Sequence, residues 1–123
     1  MRVLVVDDHA AFRSALTSAL SATQDIEVAG EAGGGLAACE QAERLRPDAI
    51  VMDLSMPDLD GIDAMRRIHE RRPEVPVVIL TAHADAGVER AAREAGARGF
   101  LAKGTSLHDL VLVLQEAAER GAA

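Results

Sequence analysis

Four short apolar runs, each followed by a polar residue, constrain the fold of this chain more than any other feature. Runs of four or five β-branched and aliphatic residues are typical of strands that are buried on both faces. They cover residues 2–6, 49–52, 77–80 and 99–102, and the residues that follow them are Asp7 with Asp8, Asp53, Thr81 and Lys103. Because segments of helical periodicity separate the runs, the strands are expected to be parallel.

The polar residues that follow the runs should lie at one edge of the predicted sheet. Ligands of open parallel sheets bind in the crevice beyond the carboxyl ends of the strands. Three carboxylates, one hydroxyl and one ammonium group are therefore expected to share a single pocket. The sequence predicts a functional site at this edge.

Length, charge and cysteine content narrow the class of protein. At 123 residues the chain suits a single domain, which we expect to span 1–123. A net charge of −7 disfavours direct binding to nucleic acid, whose phosphates are met by clustered Lys and Arg. No apolar run reaches the ~20 residues of a spanning helix or the ~7–15 of a signal peptide, so no membrane association is expected. One cysteine, Cys39, precludes an internal disulfide and favours a reducing, cytoplasmic location.

The pattern between the runs completes five β–α units of an α/β, doubly wound parallel sheet. The second strand is predicted over 26–29, helix 2 over 36–45 and helix 4 over 85–95. Asp60 is expected to cap helix 3, Gly96 to end helix 4, and Ser106 to begin helix 5 with the capping-box spacing to Asp109. The first helix has an apolar stripe at i, i+3 and i+4, formed by Phe12, Ala15, Leu16, Ala19 and Leu20.

The glycine run 33–35 is the one conspicuous motif outside the predicted site. It lacks the Gly-Lys-Ser/Thr sequence of a phosphate-binding loop. We therefore predict a flexible turn there.

Grouped carboxylates favour a bound divalent cation. Two carboxylates ~5 Å apart repel by ~3 kcal/mol at an effective dielectric constant of ~20. Mg²⁺ is the cation expected at such a group, with Mn²⁺ as an alternative, because Mg²⁺ binds a few carboxylates together with waters and phosphate oxygens. A carboxylate beside the metal can attack a phosphoryl group, and Asp53 is favoured as that nucleophile because the third strand should be central. Lys103 and Thr81 would then supply a charge and a hydroxyl to the phosphoryl oxygens.

Five segments, taken together in order and spacing, resemble a bacterial response-regulator receiver domain over the whole chain, and the stretches 5–9, 53–60 and 96–103 further resemble its NarL/FixJ-like subfamily. The segments are Asp7-Asp8, Met52-Asp53-Leu54-Ser55-Met56-Pro57, Asp60-Gly61, Thr81-Ala82 and Gly99-Phe100-Leu101-Ala102-Lys103. The resemblance implies a flavodoxin-like (βα)5 sandwich with strand order 2-1-3-4-5. It also implies a phosphorylation-activated switch of a two-component system rather than an enzyme.

The resemblance assigns a role to each matching residue. It makes Asp53 the phosphoacceptor, Asp7 and Asp8 the acidic pair, Asp8 and the Ser55 backbone carbonyl the direct Mg²⁺ ligands, Thr81 the switch hydroxyl, Lys103 the phosphate contact and Phe100 the aromatic switch.

One position departs from the family, in which a proline in a cis bond often follows the lysine. Gly104 stands there, and a non-proline cis bond costs about 2.5–4 kcal/mol, so we expect this bond to be trans or the loop to be mobile. Asp8 taken alone could instead cap the first helix.

Partners and output follow from the same resemblance. A sensor histidine kinase would donate the phosphoryl group, and DNA would be bound only through a C-terminal helix-turn-helix domain that this chain does not contain. A stand-alone regulator or phosphorelay carrier is an alternative. An aspartyl-phosphate phosphohydrolase is a more remote one, because 53–55 lacks the second acid of the Asp-x-Asp motif.

The fifth helix suggests how such a switch would assemble. Its core stripe needs only Leu107, Leu110, Val111 and Leu114, with Ala117 and Ala118. Leu112 and Val113 would then point partly outward. We expect them to lie in a homodimer interface that forms on phosphorylation, the alternative being that they merely flank the core.

Overall fold

Ten elements alternate along the chain in the computed structural model, which describes residues 1–122 and the side chains of residues 1–119. The strands are β1 (Arg2–Val6), β2 (Glu27–Ala32), β3 (Ala49–Met52), β4 (Val77–Thr81) and β5 (Gly99–Ala102). The helices are α1 (Ala10–Ser21), α2 (Gly35–Leu45), α3 (Gly61–Arg71), α4 (Ala86–Glu94) and α5 (Leu107–Ala122). Ala123, the end of the predicted domain, lies outside the described residues.

The strands form one parallel sheet in the order β2-β1-β3-β4-β5. This confirms the flavodoxin-like order expected from the sequence. The register pairs Val6 with Met52 and Met52 with Ile79, so the carboxyl ends of β1 and β3 are level and β4 continues beyond them to Thr81. Residues that follow these strands are therefore brought to the same edge.

The apolar residues of each strand alternate between two separate cores. Along β1, Leu4 and Val6 join one cluster, whereas Val3 and Val5 join the other. The first cluster is completed by buried residues of α2, α3 and α4, and the second by buried residues of α1 and α5. Helices thus cover both faces of the sheet, which explains why the strands are apolar on both sides.

Two predicted boundaries at the strands were wrong. β2 runs over Glu27–Ala32 rather than 26–29, because it is an edge strand with glutamates at its exposed positions and lacks a continuous apolar signal. Its true extent is set by pairing with β1, where Leu4 lies opposite Gly30. Thr81 is the last residue of β4 and not the first residue after it.

The helix ends agree with the local sequence signals. The Asp60 side chain accepts a hydrogen bond from the Asp63 N–H, and the Ser106 hydroxyl accepts one from the Asp109 N–H. Gly96, with a φ of 115°, lies just beyond α4 as predicted. Among the described residues, no helix combines the length and apolar character that crossing a membrane requires.

The glycine run and the α1 stripe correct two further expectations. Gly34 is the N-cap of α2 and Gly35 its first residue, so this run is part of a helix start rather than a separate flexible turn. In the α1 stripe Ala15 is exposed, and only Leu20 is fully buried.

The exposed face of α5 also differs from the prediction. Leu107, expected in the core, is 39% exposed and is the first residue of the helix. Leu112 is 44% exposed as expected. Val113 is only half-buried and packs on β5 so closely that a Cβ added to Gly99 would lie 2.6 Å from its Cγ1. Val113 therefore belongs largely to internal packing.

Replacing Leu114 and Leu112 should separate the two faces of α5. Leu114 is completely buried, so Leu114→Ala should lower the free energy of unfolding by about 2–5 kcal/mol. Leu112→Ala should change it by no more than ~0.5 kcal/mol. Urea unfolding followed by circular dichroism measures both, since the chain has no Trp or Tyr. Equal losses in the two variants would contradict this orientation of α5.

Candidate functional site

Three of the predicted site residues converge at the carboxyl edge of the sheet. Asp7 follows β1, Asp53 follows the central β3, and Lys103 follows β5. The Asp53 N–H donates to the Val6 carbonyl, which extends the pairing of β1 and β3 by one step and fixes the two carboxylates side by side. Both aspartates are almost fully buried, at 2% and 3% exposure.

The Lys103 ammonium group bridges these two carboxylates. Its Nζ lies 2.8 Å from Asp7 Oδ2 and 3.0 Å from Asp53 Oδ2. Burial of the lysine acts to lower its pKa, but hydrogen bonds and attraction from Asp7 and Asp53 outweigh this effect, and the pKa of Lys103 is raised. The lysine is therefore a fixed positive charge at neutral pH. It is also the only lysine in the sequence, among twelve arginines.

Backbone N–H groups satisfy the other oxygen of each carboxylate. Asp53 Oδ1 accepts from the Leu54 N–H at 2.7 Å and from the Ser55 N–H at 3.4 Å. Asp7 Oδ1 accepts from the His9 N–H at 2.8 Å. These hydrogen bonds hold the two carboxylates in fixed orientations.

Asp8 lies beside this pair and is differently placed. Its Oδ1 atom is shielded from solvent and has no hydrogen-bond partner among the described residues, although His9 Nδ1 lies 3.3 Å away. The N-cap of α1 is His9, and it caps the helix without a side-chain hydrogen bond. Asp8 is thus not the cap of α1, and a buried carboxylate oxygen without a donor needs another source of positive charge.

The donors around Asp8 fit a divalent cation. One ligand atom from each of Asp7, Asp8, His9 and Asp53 can be chosen so that all lie within 4.8 Å of one another. Carboxylate oxygens are the ligands that Mg²⁺ prefers. The four histidines show no metal-ligand spacing among themselves, so the sequence alone does not indicate His9 as a ligand. Its nitrogen joins the cluster only because α1 begins beside the acidic pair.

Thr81 and Phe100 occupy neighbouring strands next to the charged residues. Thr81 is completely buried, and its hydroxyl accepts from the His83 N–H at 3.3 Å. Its carbonyl accepts from the Lys103 N–H, so the end of β4 also fixes the lysine backbone. Phe100 is 9% exposed, pairs with Ile79 and packs into the first of the two cores.

The described residues contain no cis peptide bond, so the Lys103–Gly104 bond is trans, in agreement with one of the two expectations. Ser55 lies in the loop after Asp53 and is exposed.

Two residues of α1 also contact the site, although the sequence pattern does not indicate it. Lys103 Nζ lies 4.5 Å from the centroid of the Phe12 ring, within the range of a cation–π interaction. Arg13 Nη1 donates to the Asp7 carbonyl at 2.7 Å. Phe12 and Arg13 lie in the first turn of a helix that starts beside Asp8. Their position in the sequence could have indicated the contact, because such a turn must lie over the edge of the sheet that carries the site.

Asp8→Asn should stabilise the protein in the absence of divalent cations. The change removes one of three neighbouring negative charges and no hydrogen bond, so the free energy of unfolding should rise by roughly 1 kcal/mol. Thermal unfolding with EDTA measures this, with Asp63→Asn, at an exposed acid on α3, as the control. A clear fall in melting temperature for Asp8→Asn alone would show that the Asp8 carboxylate stabilises the fold.

Comparison with known proteins agrees with this geometry. The family described as response regulator receiver domain matches residues 3–115. The chain is 36% identical over 115 residues to the transcriptional regulatory protein YhcZ of Bacillus subtilis, and the match covers 94% of this chain and 54% of that protein. The chain thus spans about half the length of the curated relatives it matches. The signal receiver domain of NarL from Mycobacterium tuberculosis superposes with a TM-score of 0.90 at 32% identity, covering 96% and 95% of the two chains. The beryllofluoride-activated NtrC4 receiver domain dimer gives 0.88 at 31%, covering 98% of both chains. The chain belongs to the receiver domains of two-component response regulators.

Proposed function

We propose that Asp53 accepts a phosphoryl group from the phosphohistidine of a sensor kinase. A carboxylate oxygen of Asp53 forms the new O–P bond, the N–P bond of the donor breaks, and the imidazole leaves with its electron pair and takes a proton. The observation that supports this role is the position of Asp53. It is a buried carboxylate at the end of the central strand, hydrogen-bonded to the one lysine of the chain.

Asp7, Asp8 and Asp53, with the Ser55 backbone carbonyl, are the proposed ligands of Mg²⁺, or of Mn²⁺ in its place. When bound, the metal neutralises the carboxylates and the phosphoryl oxygens during transfer. The buried Asp8 oxygen without a partner is the part of the site that this proposal accounts for.

Lys103 and Thr81 are the proposed contacts of the phosphoryl oxygens. Lys103 already lies 3.0 Å from the Asp53 oxygen, so its ammonium can follow the added negative charge by a small movement. Doing so weakens its bond to Asp7, whose carboxylate would then be compensated by the divalent cation that it is proposed to bind. Lys103 thus links the state of Asp53 to the end of β5.

Thr81 and Phe100 are the proposed switch. Thr81 pairs with Ala102, and Phe100 pairs with Ile79, so both lie on the same two strands. A shift of the Thr81 hydroxyl toward a phosphoryl group changes the space beside β5, which favours a different position of the Phe100 ring. On this proposal the domain is a phosphoacceptor that assists its own phosphorylation and dephosphorylation, and not an enzyme with a separate substrate.

Intact-mass spectrometry tests the phosphoacceptor. Acetyl phosphate with Mg²⁺ should add one phosphoryl group to the wild type and to Asp63→Asn, and none to Asp53→Asn, which lacks the nucleophilic oxygen. Thr81→Ala and Lys103→Arg should label more slowly. Equal labelling of wild type and Asp53→Asn would remove Asp53 from this role.

The output is proposed to be transcriptional. YhcZ is named a transcriptional regulatory protein, and this chain covers about half of it. In that arrangement the receiver acts in the cytoplasm and controls DNA binding through a C-terminal domain, consistent with its own net charge of −7.

Phosphorylation is proposed to favour a homodimer through α5. Leu112 is one of three large apolar side chains that are exposed among the described residues. Its neighbour Val113 is largely engaged with β5, so we assign Leu112 the central contact and Val113 only an indirect one. The related NtrC4 receiver is a dimer in its activated form.

Sedimentation velocity tests the dimer. The wild type should shift from monomer toward dimer when acetyl phosphate and Mg²⁺ are added, and Leu112→Asp should stay monomeric because a charge at the interface is costly to bury. Leu36→Asp is the matched control, since Leu36 is an exposed leucine on α2. A dimer that persists unchanged in Leu112→Asp would place the interface elsewhere.

A further inference from the structure

The start of α2 has no cap of its own. Its N-cap residue is Gly34, which offers no side-chain oxygen to the first N–H groups of the helix. Such groups need partners, and a helix normally obtains one from Ser, Thr, Asp or Asn at this position. The glycine run 33–35 therefore leaves a requirement that another part of the chain must meet.

Asp58, from the loop between β3 and α3, meets that requirement. Its Oδ1 accepts from the Gly35 N–H at 3.0 Å and its Oδ2 from the Leu36 N–H at 3.1 Å. The Leu59 N–H adds a bond of 2.9 Å to Oδ1. The bonds from Leu36 and Gly35 lower the pKa of Asp58, so the carboxylate is ionised at neutral pH. One side chain thus joins two loops that are 23 residues apart in sequence.

The contact requires glycine on the helix side. A Cβ added to Gly34 would lie 2.8 Å from Asp58 Oδ1. A Cβ added to Gly35 would overlap the Leu59 carbonyl and would lie 2.7 Å from the Leu59 Cβ. Side chains at positions 34 and 35 would push the loop away from α2. The contact with the loop therefore explains why glycine stands at these two positions.

The loop that Asp58 holds is the loop that carries the proposed phosphoacceptor and metal carbonyl. At its start, the N–H groups of Leu54 and Ser55 are bonded to Asp53. At its end, the Gly61 N–H donates to the Leu54 carbonyl at 2.8 Å, which folds the loop back on itself. Between these points the side chain of Met56 is buried in the core, and the Asp58 carboxylate is the polar tie to another element.

We propose that Asp58 is a positioning residue, which holds residues 54–59 against the start of α2 and so keeps the Ser55 carbonyl and the Asp53 carboxylate arranged for a divalent cation. This inference rests on the proposed function, because it assigns Asp58 a task in the metal binding and phosphorylation at Asp53. Asp58 acts through the backbone and touches neither the metal nor the phosphoryl group.

Three variants separate this role from simple helix capping. Asp58→Ala removes the tie, and Gly35→Ala weakens it from the other side while keeping the carboxylate. Asp85→Ala is the matched control, because Asp85 is also an exposed aspartate that caps a helix, with Oδ1 2.9 Å from the Val88 N–H, but lies outside this loop. Asp58→Asn retains one acceptor oxygen and should behave between wild type and Asp58→Ala.

Calorimetric titration with Mg²⁺ alone is the first readout. Asp58→Ala and Gly35→Ala should bind Mg²⁺ roughly fivefold more weakly than wild type, on the scale of one lost helix cap, whereas Asp85→Ala should bind it equally well. Labelling by acetyl phosphate should slow by a similar factor at subsaturating Mg²⁺ and recover at saturating Mg²⁺. If Asp58→Ala binds Mg²⁺ as tightly as the wild type and its melting temperature falls as much as that of Asp85→Ala, then Asp58 only caps α2 and the positioning role is wrong.

Amide hydrogen exchange distinguishes failure of this inference from failure of the proposed function. Exchange at Leu54 and Ser55 requires neither metal nor phosphate, and it should accelerate about fivefold in Asp58→Ala and not in Asp85→Ala. If the wild type is not labelled at Asp53, the proposed function fails, and faster loop exchange still supports the positioning role. If the wild type is labelled and the loop amides of Asp58→Ala exchange as in wild type, the positioning role alone fails.

Discussion

The ion pairs of Lys103 with Asp7 and Asp53 are the interaction on which the rest of this site depends. Two buried carboxylates side by side repel strongly, and burial removes the water that would otherwise screen them. A single ammonium group, at 2.8 and 3.0 Å, bridges both carboxylates and offsets part of their repulsion. Removing one partner of a buried pair typically costs 3–5 kcal/mol, so β1, β3 and β5 are held together at this edge by charge as well as by the sheet.

The same arrangement leaves the site with more negative than positive charge, because three carboxylates share one ammonium group. The lysine reaches Asp7 and Asp53, while in the described part of the chain the buried Asp8 oxygen accepts no hydrogen bond and has only His9 Nδ1 nearby, at 3.3 Å. A site with three carboxylates and one ammonium group can accept further positive charge, which the proposed Mg²⁺ would supply. The ring of Phe12, 4.5 Å from the ammonium, limits where Lys103 can lie although Gly104 follows it.

Much of this could be predicted from the sequence, because the signals were local. Buried strands are apolar at consecutive positions, and parallel strands bring Asp7, Asp53 and Lys103 to one edge whatever the details of packing. The limits of β2 could not be predicted in this way, since an edge strand is defined by its partner. Neither could the contact of Asp58 with α2, nor the packing of Val113 on Gly99, because both join residues far apart in sequence. The resemblance to receiver domains supplied roles for Thr81 and Phe100 that burial and spacing alone do not provide.

Nitrogen NMR of the lysine side chain tests the central claim most directly. Because Lys103 is the only lysine, protein labelled with ¹⁵N-lysine gives a single side-chain ammonium resonance. The account predicts that this resonance is observed near neutral pH, since a buried, paired ammonium exchanges protons slowly, and that it shifts when Mg²⁺ and acetyl phosphate are added. In Asp53→Asn the shift caused by acetyl phosphate should be absent. A resonance that exchanges like that of a free lysine, or the same shift on adding acetyl phosphate in both proteins, would contradict the account.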